Sequence, residues 1–157
     1  MFMKSIQSLC LIQSILMKTD LSNATFIIPI RIESDDRLRN VVTSIAFLVE
    51  NFDTNIIVKE VDKESVFQTE VLPIFEEILE VDLWKNFHHI FERSEEPLFH
   101  RQRVLNEMIA ECETDIVVNY DCDVVLPMQS YKLAYDGIME GIYAVSYTHL
   151  RAHETRL

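Results

Sequence analysis

Short apolar runs alternate with segments of helical spacing along this 157-residue chain, and that alternation constrains its fold more than any other feature. Apolar runs at 25–30, 55–58, 88–92 and 115–120 are each followed by a segment in which apolar residues recur with helical period. The order is β-α-β-α-β-α-β-α, which favours a mainly parallel sheet with right-handed crossovers. We therefore predict an α/β protein with three layers, helix, sheet and helix.

The predicted helices differ in how clearly the sequence marks them. In the first, Asp35 or Asp36 can cap the helix, and apolar residues across 38–52 follow the i, i+3, i+4, i+7 spacing. Residues 66–79 also have helical period, although Pro73 either kinks that helix or begins a new first turn. Two more helices are predicted at 99–112 and 130–140, and the charged residues 59–65 are predicted to form a loop.

Glycine content and charge exclude several kinds of function. The chain has two glycines, Gly137 and Gly141, with three residues between them. A dinucleotide-binding loop and a phosphate-binding P-loop each need more glycines at fixed spacing, so both are excluded in their standard forms. The formal net charge of -12 argues against nucleic acid or an anionic membrane surface as a partner. A nucleotide-binding protein of this composition must therefore use carboxylates and a metal.

The cysteines and the first apolar segment indicate the cellular compartment. Cys10, Cys112 and Cys122 are odd in number and lack CxxC spacing, which fits a reducing compartment, so we expect a cytoplasmic protein. In the first sixteen residues, Gln13 and Ser14 interrupt the apolar stretch, which fits neither a signal peptide nor a membrane span.

Both ends of the chain are predicted to lie outside the domain. Met17 reads as a natural start ahead of the first strand, which makes residues 1–16 an extension, with a short N-terminal helix as the alternative. Residues 146–155, SYTHLRAHET, resemble the translation of an adaptor used to prepare sequencing libraries. We therefore expect 145–157 to be foreign sequence and 17–144 to be the domain.

Acidic residues follow three of the four predicted strands. Glu33 follows the first, Glu60 and Asp62 follow the second, and Asp121 and Asp123 follow the fourth. Ligands of parallel α/β sheets bind beyond the carboxyl ends of the strands, where phosphates are common ligands. A divalent cation would reconcile these acidic residues with a phosphate ligand.

The triplet Asp121-Cys122-Asp123 is the strongest candidate for a metal site. In an extended chain, side chains at i and i+2 point the same way, so both carboxylates could meet one Mg²⁺ or Mn²⁺. With ten aspartates in the chain, chance alone predicts about 0.6 such triplets. The triplet is therefore significant because of its position, directly after the fourth apolar strand.

The segment 24–141 resembles the family 2-like glycosyltransferases, which have the Rossmann-like GT-A fold. The resemblance lies in the strands TFIIPI and NIIV and in the helix HRQRVLNEMIAECE that precedes DIVVNYDCDVVLP. The N-terminal galactosyltransferase- and GalNAc-transferase-like branch is the most similar. This resemblance implies part of a GT-A domain, the half that binds a nucleotide-diphosphate sugar for transfer to a saccharide or another hydroxyl acceptor.

The resemblance also implies roles for individual residues. In this family the DxD triplet binds the donor diphosphate through Mn²⁺ or Mg²⁺, so we expect Asp123 to ligate the metal and Asp121 to meet the ribose or the metal's water shell. An Arg-Asn element on the preceding helix corresponds to Arg103 and Asn106; Arg103 could contact a phosphate or simply pair with Glu107. Further candidates for nucleoside contacts are Glu33, Glu60 and Asp62.

Two features leave alternatives open. Residues 60–65, EVDKES, lack the glycine of the family's Asp-Asp-Gly-Ser turn, so the base of the nucleotide is undefined. A non-catalytic nucleotide-binding module is one alternative. A nucleotidyltransferase is the other, although it normally has a glycine-rich loop after its first strand, which this chain lacks.

Overall fold

The computed structural model describes residues 18–79 and 85–141, so the predicted extension 1–16 and the predicted tail 145–157 lie outside the described residues. The strands are β1 (Thr19–Ile30), β2 (Phe52–Asp62), β3 (Phe87–Arg93) and β4 (Ile116–Asn119). They form one sheet in the order β3-β2-β1-β4, and all three neighbouring pairs are parallel. The predicted α/β class and parallel sheet are confirmed.

Helices connect the strands as the alternation predicts. They are α1 (Asp35–Asn51), a π-helical segment (Phe67–Val71), α2 (Leu72–Ile78), α3 (Arg101–Ala110) and α4 (Met128–Met139). The chain divides into two compact units, the first ending at Val125 and the second beginning at Leu126. The sheet and the first three α-helices belong to the first unit, and α4 belongs to the second.

The sheet is covered on both faces within the first unit. On one face, α3 packs on β1 and β2 in an apolar core. Parallel β-α-β connections are almost always right-handed, which places α1 and α2, both on connections that run the same way along the sheet, on the opposite face. This gives the predicted three layers. The core beneath α3 consists of Ile27, Ile57, Val61, Val104, Leu105 and Met108.

Local chemistry explains where α1 begins. Ser34 is its N-cap, and Ser34 Oγ accepts a hydrogen bond from the Arg37 N–H. The prediction that Asp35 or Asp36 is the cap is therefore wrong. Both aspartates lie in the first turn instead, where negative charge favours the positive end of the helix dipole.

The second strand is longer than its apolar run. The prediction of a loop from residue 59 is wrong, because Lys59 and Glu60 continue β2 and pair with both β1 and β3. Phe52, predicted in the first helix, begins β2. Pro73 lies in the first turn of α2, which confirms the prediction that it begins a new helical turn. The residues before α2 are π-helical.

The strand order places a switch point between β1 and β4. From β1 the chain moves to β2 and then to β3, whereas β4 pairs with the other side of β1. In open parallel sheets, ligands bind at such a point, in the crevice beyond the carboxyl ends of the strands. A ligand-binding site is therefore expected in the segments that follow β1 and β4.

Candidate functional site

The Asp121-Cys122-Asp123 triplet lies in a tight turn directly after β4. The strand ends at Asn119, and the Val124 N–H donates to the Asp121 carbonyl at 3.2 Å. The prediction that the triplet lies in extended chain is therefore wrong. Asp121 and Asp123 are nevertheless both exposed, and Cys122 between them is buried, so the turn presents two carboxylates to solvent at the switch point.

Three interactions hold this turn in place. The Tyr120 N–H donates to the Ile27 carbonyl of β1 at 3.1 Å, and the Tyr120 hydroxyl donates to the Val124 carbonyl at 2.6 Å. The Ser44 hydroxyl of α1 donates to the buried Cys122 carbonyl. The turn is therefore tied to the central strand and to α1, and the two aspartate side chains project from a fixed backbone.

Arg101, at the start of α3, is a residue of this site that the sequence prediction missed. Its Nη2 donates to Asn119 Oδ1 at 3.1 Å and to Asp121 Oδ1. Asp123 makes no ion pair with any described residue. Arg101 and Arg103 are two positions apart on a helix, so they point in different directions, and only Arg101 faces the turn.

Arg31 is a second cation that the prediction did not assign to the site. It follows β1 directly and is 6% exposed. Its Nε donates to the Val61 carbonyl at 2.9 Å and its Nη1 to the Pro97 carbonyl at 3.0 Å, and the guanidinium lies 5.6 Å from the centre of the Phe99 ring. Within the described residues no carboxylate lies within ion-pair distance of this buried charge, so a bound anion could balance it.

The donor set at the turn fits a cation that also binds phosphate. Across residues 18–79 and 85–141, no group of three or more His, Cys, Asp and Glu side chains is arranged to hold a metal. Mg²⁺ commonly takes only one or two protein carboxylates and completes its shell with phosphate and water. Asp123 and Asp121 meet that requirement. A metal site built only from protein side chains would need more ligands than the described residues bring together.

Two further predicted residues lie at the carboxyl edge of the sheet. Glu33 is exposed in the connection between β1 and α1. Asp62 is the last residue of β2 and is half-buried, and its Oδ1 accepts the Lys63 N–H at 2.7 Å. Both positions are compatible with nucleoside contacts, which stay predictions.

Glu60 has a different place from the one expected. It lies within β2, not after it, and is 0% exposed. Its carboxylate accepts hydrogen bonds from the Ser65 hydroxyl and from the Phe67 N–H. Because its carboxylate is buried and bound within the chain, Glu60 offers no atom to a nucleoside in this structure.

Arg103 belongs to a network of ion pairs on the α3 face of the sheet. It pairs with Glu92 of β3 at 2.7 Å and with Glu107 at 2.8 Å, and Lys59 pairs with the same two glutamates. The alternative in which Arg103 pairs with Glu107 is confirmed. The bond from Arg103 holds the pKa of Glu92 below its usual value, and a phosphate contact by Arg103 would have to break that pair.

Comparison with known proteins identifies no relative: no family model, curated protein or solved structure significantly matches this chain. In the described part of the chain, none of the helices has both the length and the apolar character that crossing a membrane requires.

Proposed function

We propose that this chain is the nucleotide-sugar-binding part of a metal-dependent glycosyltransferase. The observation that carries the proposal is the anchored turn at the switch point, which presents Asp121 and Asp123 on a backbone tied to β1 and α1. A carboxylate pair at that position suits a donor that brings its own phosphate ligands to a divalent cation. The resemblance to family 2-like glycosyltransferases supports the same function.

Three residues have separate roles at the proposed site. Asp123, which has no ion pair with the described residues, would hold Mn²⁺ or Mg²⁺. Asp121 would contact the ribose or the metal's water shell. Arg101 would face the diphosphate from the start of α3. When bound, the metal supplies positive charge that stabilises the departing nucleoside diphosphate.

The acceptor is a saccharide or another hydroxyl compound, and the cytoplasm is the compartment that we propose. The thiols of Cys112 and Cys122 support a reducing compartment, because both are free in the structure.

Binding of nucleoside diphosphates tests the proposal directly. Isothermal calorimetry of the purified chain with UDP, GDP, CDP and ADP, with and without MnCl₂, should show metal-dependent binding of at least one of them. Asp123→Asn removes one negative charge from the cation and should weaken that binding at least tenfold, about 1.4 kcal/mol. Asp121→Asn should cost less, because an amide oxygen still accepts a hydrogen bond.

Glu77→Gln is the matched control, since Glu77 is an exposed carboxylate on α2, away from the turn. It should bind as the wild type does. Binding of no nucleotide, or equal binding by Asp123→Asn and Glu77→Gln, would refute the proposed site. We expect this part alone to be inactive, so turnover of a nucleotide sugar by the full-length protein, and not by this part, separates the enzyme from the non-catalytic module.

A further inference from the structure

The two edges of the sheet differ in length. In the described part of the chain, β4 forms one edge with four residues and β3 forms the other with seven. β3 contains no proline and pairs with β2 without a register shift. Natural proteins often protect an edge strand by shortness, by proline or by a bulge, because its unpaired backbone groups can bind another strand. β3 has none of these three protections.

The segment that follows β3 turns away from this edge. The Ser94 N–H donates to the Asp62 carbonyl at 2.9 Å, and the Pro97 carbonyl accepts a hydrogen bond from Arg31 at 3.0 Å. Asp62 ends β2 and Arg31 follows β1, so the chain after β3 runs back across the sheet. Within residues 18–79 and 85–141, no strand lies beyond β3. The outer edge of β3 is therefore open in the described chain.

Two backbone hydrogen bonds define which residues of β3 face this open edge. The Ile56 N–H of β2 donates to the carbonyl of Asn86, just before β3, and the N–H of Ser94, just after β3, donates to β2. Since alternate residues of a parallel strand bond to the same neighbour, the backbone groups of the even-numbered residues of β3 point to β2. Those of His89 and Phe91 point away from the sheet, where a further strand can bind them.

This alternation limits how a second copy of β3 can pair antiparallel with the first. Two residues directly opposite each other must both point their backbone groups at the partner strand or both away from it. The sequence numbers of opposite residues must therefore add up to an even number. The three central registers that meet this condition place His89, Ile90 or Phe91 opposite its own copy.

Side-chain chemistry favours the register centred on Ile90. In that register the exposed His88 lies opposite Glu92 of the other copy. These residues form a non-hydrogen-bonded pair of the ladder, in which side chains approach most closely. Glu92 Oε1 accepts one hydrogen bond among the described residues, from Arg103, and a carboxylate oxygen can accept a second. The His88 ring can therefore donate to Glu92 across the strands.

The residues that flank β3 favour the same register. Lys85 and Glu95, each two positions outside β3, are exposed, have opposite charges and face each other when the pair is centred on Ile90. The register centred one residue earlier places Lys85 opposite Arg93, and like charges opposite each other are destabilising. The register centred one residue later places Glu92 opposite an apolar residue. The strand is therefore complementary to itself in one register.

We propose that two copies of this chain associate through β3 into a two-fold symmetric dimer, in which antiparallel β3 strands join the two sheets with Ile90 beside the axis. The same surface serves both copies, as in the isologous contacts of most homodimers. β3 and β4 lie at opposite edges of the sheet, so the contact does not involve the turn after β4. The dimer is therefore independent of the proposed function.

Sedimentation equilibrium of the full chain, in about 0.15 M salt and between about 1 μM and about 1 mM protein, tests the proposal. A reversible equilibrium of monomer and dimer is expected. Phe91→Pro should abolish it, because proline removes an outward N–H without removing a bond to β2, and edge strands tolerate proline. Phe91→Leu keeps that N–H and should still dimerise. A wild type that is monomeric throughout, or a Phe91→Pro dimer as stable as the wild type, would overturn the proposal.

His88→Glu tests the register. It should raise the dissociation constant of the dimer about tenfold, because symmetry places two pairs of carboxylates opposite each other. His100→Glu is the matched control, since it makes the same change of charge at an exposed position outside β3 and adds the same general repulsion. It should leave the dissociation constant nearly unchanged. Equal weakening by the two substitutions would contradict the pairing of His88 with Glu92 and overturn the proposal.

Hydrogen exchange in the wild type keeps the test valid if Phe91→Pro fails to fold. The amide protons of His89 and Phe91 are bonded only in the dimer, so their exchange should slow about tenfold when about nine-tenths of the chain is dimeric. The amide of Ile90, already bonded to β2, should change less. Protection of the His89 and Phe91 amides in the monomer would show that another segment of the chain covers β3, and would overturn the proposal.

Discussion

At the scale of single residues, the buried carbonyl of Cys122 shows how the candidate site depends on a distant side chain. The Ser44 hydroxyl of α1 is its donor. Ser44→Ala would leave that carbonyl buried without its partner and should lower the free energy of unfolding by about 1–3 kcal/mol. Urea unfolding measures the loss. Thr43→Ala, at the exposed neighbouring position, should change stability by only a few tenths of a kcal/mol, and an equal effect of the two would contradict the role of Ser44.

The same residues show what sequence reasoning can and cannot find. Asp121 and Asp123 were recognisable because their position after an apolar strand follows from local pattern. Ser44 and Arg101 were not, because what places them is contact with Cys122 and Asp121, which are distant in the sequence. No local signal marks such partners. The only hint at Arg101 is its place on the same helix as Arg103.

At the scale of elements, Lys59 links two strands and a helix. Its side chain is 13% exposed and pairs with Glu92 of β3 and Glu107 of α3. Lys59→Met should lower the free energy of unfolding by about 1 kcal/mol or more, because half-buried carboxylates lose a cation. Added salt should reduce the difference from the wild type.

Lys63 provides the control for that prediction. Its side chain is 67% exposed and its nearest carboxylate oxygen, on Glu95, is 3.7 Å away. Exposed pairs of this kind contribute little, so Lys63→Met should leave stability nearly unchanged in the same urea titration. A loss as large as that for Lys59→Met would show that the buried network has no special role.

Element type was easier to predict than element boundaries. Apolar runs and helical period placed every strand and helix of the described chain in the correct order. The predicted end of β2 is four residues early, because charged residues such as Lys59 and Glu60 are typical of a loop. In the structure Lys59 pairs with Glu107, and Glu60 accepts a hydrogen bond from Ser65, so both charges have partners within the fold. Sequence pattern gives no sign of a residue's partner on another element, so it cannot separate a charged loop from a paired strand.

At the scale of the whole molecule, net charge and buried pairs together determine how stability depends on pH. Burial raises the pKa of Glu60, but its contacts with His89, Ser65 and Phe67 outweigh that effect and keep the pKa below its usual value. The bond from Arg103 lowers the pKa of Glu92 in the same way. A carboxyl group with a lowered folded-state pKa contributes stability above its unfolded value, near 4.5, and loses it as the pH falls through the lower folded value. Acid should therefore destabilise the fold below about pH 4.5.

On the alkaline side, self-repulsion lowers the stability of the fold. A chain of formal net charge -12 repels itself more strongly as its negative charge increases. We therefore expect the free energy of unfolding, measured by urea titration from pH 3.5 to 8.5, to be largest between about pH 5 and 6. Glu60→Gln should reduce the loss of stability below about pH 4.5, which is the acid limb of the profile. Glu77→Gln should leave the acid limb in place. A profile that is flat below pH 4.5, or an acid limb unchanged in Glu60→Gln, would show that the buried carboxylate does not couple folding to pH.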